Sequence, residues 1–207
     1  MKYKNKSIQI SCDGGAATGK STGAKMVAKK YKLKFLSSGL LYRYASFLIL
    51  KYKPKKELIF LKKKFRKLNY KQLEKINLHS QKISEYSAVL AKKNEIRKIL
   101  KQFQIKFSTK NKNCCIEGRD ISTKILPNSD LKFYFKCNLK IAAKRRYKEL
   151  KKFDAKIELK NVKKALRIRN ILDTSRKHSP LLKHRNSVEI DTGKLSKQAM
   201  LKKMSKY

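Results

Sequence analysis

The chain is poor in several things. In 207 residues it has four cysteines, seven glycines, three prolines, no tryptophan and only 14 acidic side chains. No apolar run approaches the roughly 18 residues that an ordinary membrane-spanning helix needs, which excludes one. The longest, around Ala45 to Leu50, is far shorter. Cys12, Cys114, Cys115 and Cys137 form no Cys-x-x-Cys pair and no Cys/His cluster, which argues against a structural zinc site. Their apolar, strand-like surroundings predict reduced, buried thiols in a cytoplasmic protein. No repeat recurs at a fixed period. The basic start, Met1–Lys6, runs into a strand-like segment without a small-residue cleavage site, so no secretory leader is expected.

Positive charge is abundant. Lys and Arg total 56 and the formal net charge is +42. A pI near 10.3 raises nucleic acid or an anionic surface as a partner. Ten of the 56 are Arg, however, which leaves 46 Lys spread over nearly the whole chain. A nucleic-acid protein more often gathers its charge on one face or in a tail, interleaved with stacking aromatics. The dispersed Lys therefore read mainly as filler of solvated faces, with an RNA or DNA footprint as the lesser reading. In such a chain the placement of the few Arg and acids carries the information.

The length suits one domain with one core. Ser7–Asp13 places Ile8, Ile10 and Cys12 at alternate positions, as a short strand does. Ala24, Val27, Ala28 and Tyr31 recur at i, i+3, i+4 and i+7, one face of a helix. A second strand, Lys34–Leu36, leads into a helix from Gly39 to about Leu50. Pro54 interrupts, and two Lys-rich helical segments follow with a weak strand at Ile76–Leu78. A stripe of Tyr86, Val89, Leu90, Ile96, Leu100, Phe103 and Phe107 predicts a long helical stretch with a break near Asn94. Further strands are expected at Asn113–Glu117, Leu131–Cys137 and Ser187–Asp191. Asn138 and Asn161 are expected to open helices reaching Leu150 and Asp173, with Pro180 beyond, and a last helix runs over Leu195–Met204. Strands alternating with helices predict an α/β fold: three layers, α/β/α, around a five-stranded parallel sheet.

Gly14, Gly15, Ala16, Ala17, Thr18, Gly19, Lys20 and Ser21 fit the pattern G-x-x-x-x-G-K-[ST] between the first strand and the first helix. Small residues let the backbone curl so that successive N–H groups point at phosphate oxygens, and the helix start adds its positive dipole end. Lys20 supplies a point charge to the β- and γ-phosphates, Ser21 a hydroxyl to Mg²⁺, and Thr22 a second hydroxyl. The context predicts a site for ATP with Mg²⁺.

Around that loop stand, in order, Ser37–Arg43 (SSGLLYR), Glu117–Asp120 (EGRD), Arg169, Asp173 and Arg176 followed by Pro180–Leu181, and Ile190–Thr192 (IDT). With these motifs the chain resembles the bacterial cytidylate kinases, P-loop kinases of the nucleoside-monophosphate kinase group, from Ile8 to about Leu201. The residues agree with this independently. Arg grips a phosphate with a planar fork that Lys lacks, and Arg169, Asp173 and Arg176 share one helical face. Alternatives for single positions are an Arg169–Asp173 ion pair on a solvated face and Tyr42 as a packed aromatic.

The resemblance implies transfer of the γ-phosphate of ATP to CMP or dCMP, within pyrimidine nucleotide metabolism. It implies an acceptor site of Ser38, Tyr42, Arg43, Arg97, Arg119 and Asp120, completed by Arg169, Asp173 and Arg176 from a lid. Lys20, Arg119, Arg169 and, on the helix entering the lid, Arg145 and Arg146 would neutralise charge on the transferring group; the last two could equally fill a basic helix face. The expected division is a core of about 1–45, 106–145 and 181–207, a monophosphate-binding insertion of about 46–105, and a lid of about 146–180. No membrane partner is expected, and a monomer is the default.

Three departures from the family pattern are visible: Ser37 where an Asp is usual, Ala88 where a Ser is frequent with Ser87 one residue off, and a shortened insertion. The competing readings are another P-loop kinase with a different small acceptor, and a basic RNA-binding or ribosome-associated protein with a regulatory nucleotide loop.

Overall fold

The computed structural model describes residues 7–207, so the expectation of no leader, which falls on Met1–Lys6, lies outside the described residues. Strand β1 (Gln9–Gly14) is buried from Ile10 onward. Its alternation sends Ile10 and Cys12 to one face and Ser11 and Asp13 to the other. It pairs in parallel with both β3 (Cys114–Gly118) and β4 (Leu131–Lys136). Strand β2 (Lys34–Ser37) adds outside β3, and β5 (Val188–Asp191) outside β4, again in parallel. The five-stranded order is β2-β3-β1-β4-β5. The chain direction across the sheet reverses between β1 and β4, and open α/β sheets bind ligands beyond the carboxyl ends of strands at such a point. The residues after Gly14 leave β1 there.

The chain divides into two compact units. The first holds the residues up to Ser37, Gln104–Cys137 and Leu181–Tyr207, and contains the whole sheet. Its main core joins Ile10, Cys12, Cys115, Phe133, Phe135 and Ile190 of the strands to Ala24, Val27 and Ala28 of helix α1 (Lys20–Lys30). Met200 and Met204 of the last helix of the chain, Lys197–Met204, close the same cluster. Tyr31, expected on the buried stripe, is instead 47% exposed: α1 ends at Lys30, and the chain turns through Lys32 at φ 54°. Cys12, Cys114 and Cys115 are buried free thiols as expected, whereas Cys137, just beyond β4, is partly exposed.

The second unit comprises Ser38–Phe103 and Asn138–Pro180. It is helical: α2 (Ser38–Tyr52), α3 (Glu57–Arg66), α4 (Gln81–Leu90), the first half of α5 (Asn94–Lys110), α6 (Leu139–Leu150) and α7 (Leu159–Ser175). With these in place the last helix is α8. Phe65 of α3 meets Phe103 of α5 and Tyr44 of α2 edge-on, at ring separations of 6.1 and 5.8 Å. The stripe breaks before Asn94 as expected, and Asn138 caps α6 by accepting the Lys140 N–H at 2.8 Å. Two expectations are corrected. Ile76–Leu78 forms no strand: it follows a short 3₁₀ turn, and the Arg43 guanidinium, not a neighbouring strand, donates to the Leu78 carbonyl. Asn161 does not open α7, which begins at Leu159. It lies in the first turn and donates its side-chain amide to Glu158 at 3.2 Å.

Candidate active site

The loop from Gly14 to Gly19 joins β1 to α1, and the strand packing dictates its glycines. A Cβ on Gly14 would stand 2.4 Å from the Phe135 carbonyl oxygen of the neighbouring strand. Gly19 takes φ 79°, the left-handed region that a side chain disfavours, directly before Lys20 starts the helix. The Thr18 hydroxyl donates back to the Gly15 carbonyl at 3.0 Å, and Thr192 donates to the Thr18 carbonyl at 2.6 Å. The late Ile-Asp-Thr motif thus braces the loop. Gly15 and Ala17 keep partial exposure, Ala16 is buried, and Ser21 and Thr22 are exposed on the first turn of α1.

Lys20 is buried, and its ammonium donates to the Glu117 carboxylate at the end of β3. The other Glu117 oxygen accepts from Ser21 Oγ at 3.0 Å and from Ser37 Oγ at the end of β2. Burial by itself would raise the Glu117 carboxyl. The Lys20 charge, hydrogen bonds from Lys20 and Ser37, and the nearby Arg119 together hold it below the ordinary glutamate value of 4.5. Burial lowers the Lys20 ammonium from its ordinary value and the charge of Arg119 adds to this, against the pull of Glu117. Arg119 itself is half-buried, and Asp120 is buried.

Asp13, the residue before the loop, anchors the turn that follows Asp120. Its carboxylate accepts the Ile121 and Ser122 N–H groups at 2.8 and 2.7 Å and the Ser122 hydroxyl at 2.6 Å. Burial pushes Asp13 above the usual carboxylate range despite these bonds, and Asp120 adds to the shift.

In the second unit, Ser38 opens α2 and is buried, and Tyr42 and Arg43 follow on its second turn. The guanidinium of buried Arg97 stacks over the Tyr42 ring, 5.8 Å from its centre, and donates to the Ala91 carbonyl at 3.2 Å. Tyr42 is therefore a platform for a cation as well as a packed ring. Arg43 reaches His79 Nδ1 and the Leu78 carbonyl, both at 3.1 Å. Arg146 donates to the His79 carbonyl at 3.0 Å and to Ser84 Oγ at 3.1 Å. Arg169 donates to the Ser84 carbonyl at 3.4 Å. Three arginines from three helices thus converge on Leu78–Ser84. Asp173 pairs with Arg176 at 3.3 Å in a nearly solvent-free contact. Arg176 also donates through Nε to the Ser179 carbonyl at 2.6 Å. Arg145, beside Arg146 on α6, is half-buried. A cavity of about 400 Å³ within this unit is lined by Ser84, Ala88, Arg146 and Arg169 together with apolar side chains of α4 and α7.

The cytidylate kinase family model matches residues 10–207. The chain belongs to the cytidylate kinase family. It is 33% identical to the cytidylate kinase of Listeria monocytogenes serovar 1/2a, covering 92% of this chain and 91% of that one. The cytidylate kinases of Bartonella tribocorum and Clostridium tetani are 34% and 31% identical and cover 94% and 96% of this chain, and 91% and 92% of their own. Among solved structures, an uncharacterized protein from Eubacterium ventriosum aligns with a TM-score of 0.55 at 16% identity, over 98% of both chains. TT1252 from Thermus thermophilus aligns at 0.52 with 13% identity, over 98% of this chain and 96% of that one. These two share the fold.

The Ser87 hydroxyl, beside Ala88, donates to the Ser84 carbonyl at 2.7 Å within its own helix. Glu117 and Asp13 were not among the sequence-derived site residues. Glu117 had a signal, because it precedes Gly118-Arg119-Asp120 in a chain with only 14 acids. Asp13, next to the loop, had the same one.

Proposed function

We propose that this chain transfers the γ-phosphate of ATP to CMP, with dCMP as a second acceptor, giving CDP or dCDP for pyrimidine nucleotide metabolism. The observation that carries the reading is the buried Lys20 ammonium at the start of α1, held on a carboxylate at the foot of a glycine-defined loop. A buried cation with one replaceable anionic partner suits recruitment by phosphates. In this reading the amides of Gly15–Gly19, with Lys20, Ser21 and Thr22, receive the triphosphate. Ser38, Tyr42, Arg43, Arg97, Arg119, Asp120, Arg169, Asp173 and Arg176 receive the acceptor nucleotide. The arginine forks hold its phosphate and Asp173 and Ser38 read base and sugar.

The acceptor oxygen is already ionised at neutral pH, so the protein need not remove a proton. Its work is alignment and charge neutralisation by Lys20, Arg119, Arg169 and the α6 pair Arg145 and Arg146. Mg²⁺ arriving with the nucleotide would be held by the Ser21 hydroxyl and would supply positive charge to the phosphates. The exposed Ser21 hydroxyl, on the first turn of α1 beside the loop, is a hard oxygen donor and fits it. Among the described residues no cluster of three or more His, Cys, Asp or Glu forms an all-protein site. Among the described residues no helix is long and apolar enough to cross a membrane.

The test is ADP release measured with CMP, dCMP, UMP and AMP as acceptors. Turnover with CMP and dCMP well above UMP and AMP is expected; equal rates with AMP, or none with CMP, overturns the reading.

A further inference from the structure

Ser37 ends β2 directly before Ser38, inside the run that the acceptor motif occupies, yet its hydroxyl points elsewhere. It donates to Glu117, the same carboxylate that holds Lys20 and Ser21. The parallel ladder fixes this placement, because Ser37 and Glu117 are register partners on β2 and β3. Resting on the ATP site proposed above, we infer that Ser37 is a positioning residue for the donor nucleotide: through Glu117 it governs how readily Lys20 and Ser21 turn to the phosphates of ATP.

The hydrogen bonds from Lys20, Ser21 and Ser37 all end on one carboxylate. Glu117 is 2% exposed, so water cannot replace a donor that leaves. Stripping donors from a buried charge is costly, and each remaining bond to it counts for more than a neutral one. When phosphates recruit the Lys20 ammonium and the Ser21 hydroxyl, Glu117 gives up both. Ser37 sits on a strand rather than on the loop, and stays. Its hydroxyl therefore eases the handover, and its removal makes ATP binding less favourable while leaving the acceptor's own contacts in place. An aspartate at this position, as the family pattern usually has, could not play this part, since it would set a second carboxylate against Glu117.

The test is Ser37→Ala in the full chain, read by calorimetric titration with MgATP in the absence of CMP and by the KM for each substrate. Roughly three- to tenfold weaker ATP binding is expected, the scale of one ordinary net hydrogen bond, since the Ser37 bond exists before ATP binds and only its strengthening is lost, with KM for ATP rising in parallel. KM for CMP should stay within about twofold, and Ser37→Thr, which keeps the hydroxyl, should stay near wild type. A general packing defect would instead lower Tm and move both KM values together. Unchanged ATP affinity in Ser37→Ala, or a change confined to CMP, overturns the inference. Should Ser37→Ala not fold, Ser37→Cys keeps the size, loses the strong donor, and reads the same split. Wild-type protein that binds no MgATP would sink the functional reading itself, whereas equal binding by wild type and variant sinks only the role of Ser37.

Discussion

Lys20 and Glu117 are each buried almost completely, and each is tolerable there because of the other. Removing one partner of such a pair leaves an uncompensated buried charge, which typically costs about 3–5 kcal/mol. Lys20→Ala is expected to abolish turnover in the ADP-release assay. Arg119→Lys keeps the charge but loses the planar fork, and most of the activity should go with it; near-normal turnover would mean that a point charge suffices there. Glu117 also carries a pH signature. Its folded carboxyl releases its proton more readily than an unfolded glutamate. Its contribution to stability is therefore complete above the ordinary value of 4.5 and is lost as pH falls through the lower folded value. Urea titrations between about pH 7 and pH 3 should show wild type losing stability more steeply than Glu117→Gln on the acid side. Parallel slopes would assign acid lability to other carboxylates.

The β1–loop–α1 element depends on close contact with its neighbour. Gly14→Ala would drive a methyl group to 2.4 Å from the Phe135 carbonyl oxygen, which is backbone and cannot swing away. A loss of at least about 1–3 kcal/mol, the cost of overpacking, is expected in urea unfolding. Phe135, 1% exposed in the centre of the first unit's core, should cost about 3–5 kcal/mol as Phe135→Ala.

This element was legible in the sequence because its determinants are local: a period-two strand, small residues at fixed spacing, and a period-3.6 helix within 24 residues. The five parallel strands were legible for the same reason. The Glu117 cluster was not, since its members come from α1, β2 and β3 and meet only through the strand order β2-β3-β1. The irregular Ile76–Leu78 was misread as a strand because a three-residue apolar alternation cannot reveal that an arginine 35 residues earlier takes its carbonyl. The shared face of Arg169, Asp173 and Arg176 could be read from spacing, but the Asp173–Arg176 contact at i, i+3 depends on side-chain rotamers.

A net charge of +42 on 207 residues sets the compact state against its own repulsion. Salt should therefore stabilise this protein. Raising ionic strength from about 0.01 M to about 0.15 M shortens the screening length from roughly 30 Å to roughly 8 Å. Tm is expected to rise over that range, measured with an inert chloride salt so that no anion competes for the phosphate loop. A falling Tm would show that specific ion pairs such as Lys136–Glu189 outweigh the general repulsion.

The central strand of the sheet is made well before Ile190, Met200 and Met204, which seal the same core about 180 residues or more further along the chain. At about 5–20 residues per second, that strand waits on the order of ten to forty seconds for its final neighbours. Phe133 and Phe135, made later, wait roughly three to fourteen seconds for Ile190 and the two methionines, with one side of the core open until these arrive.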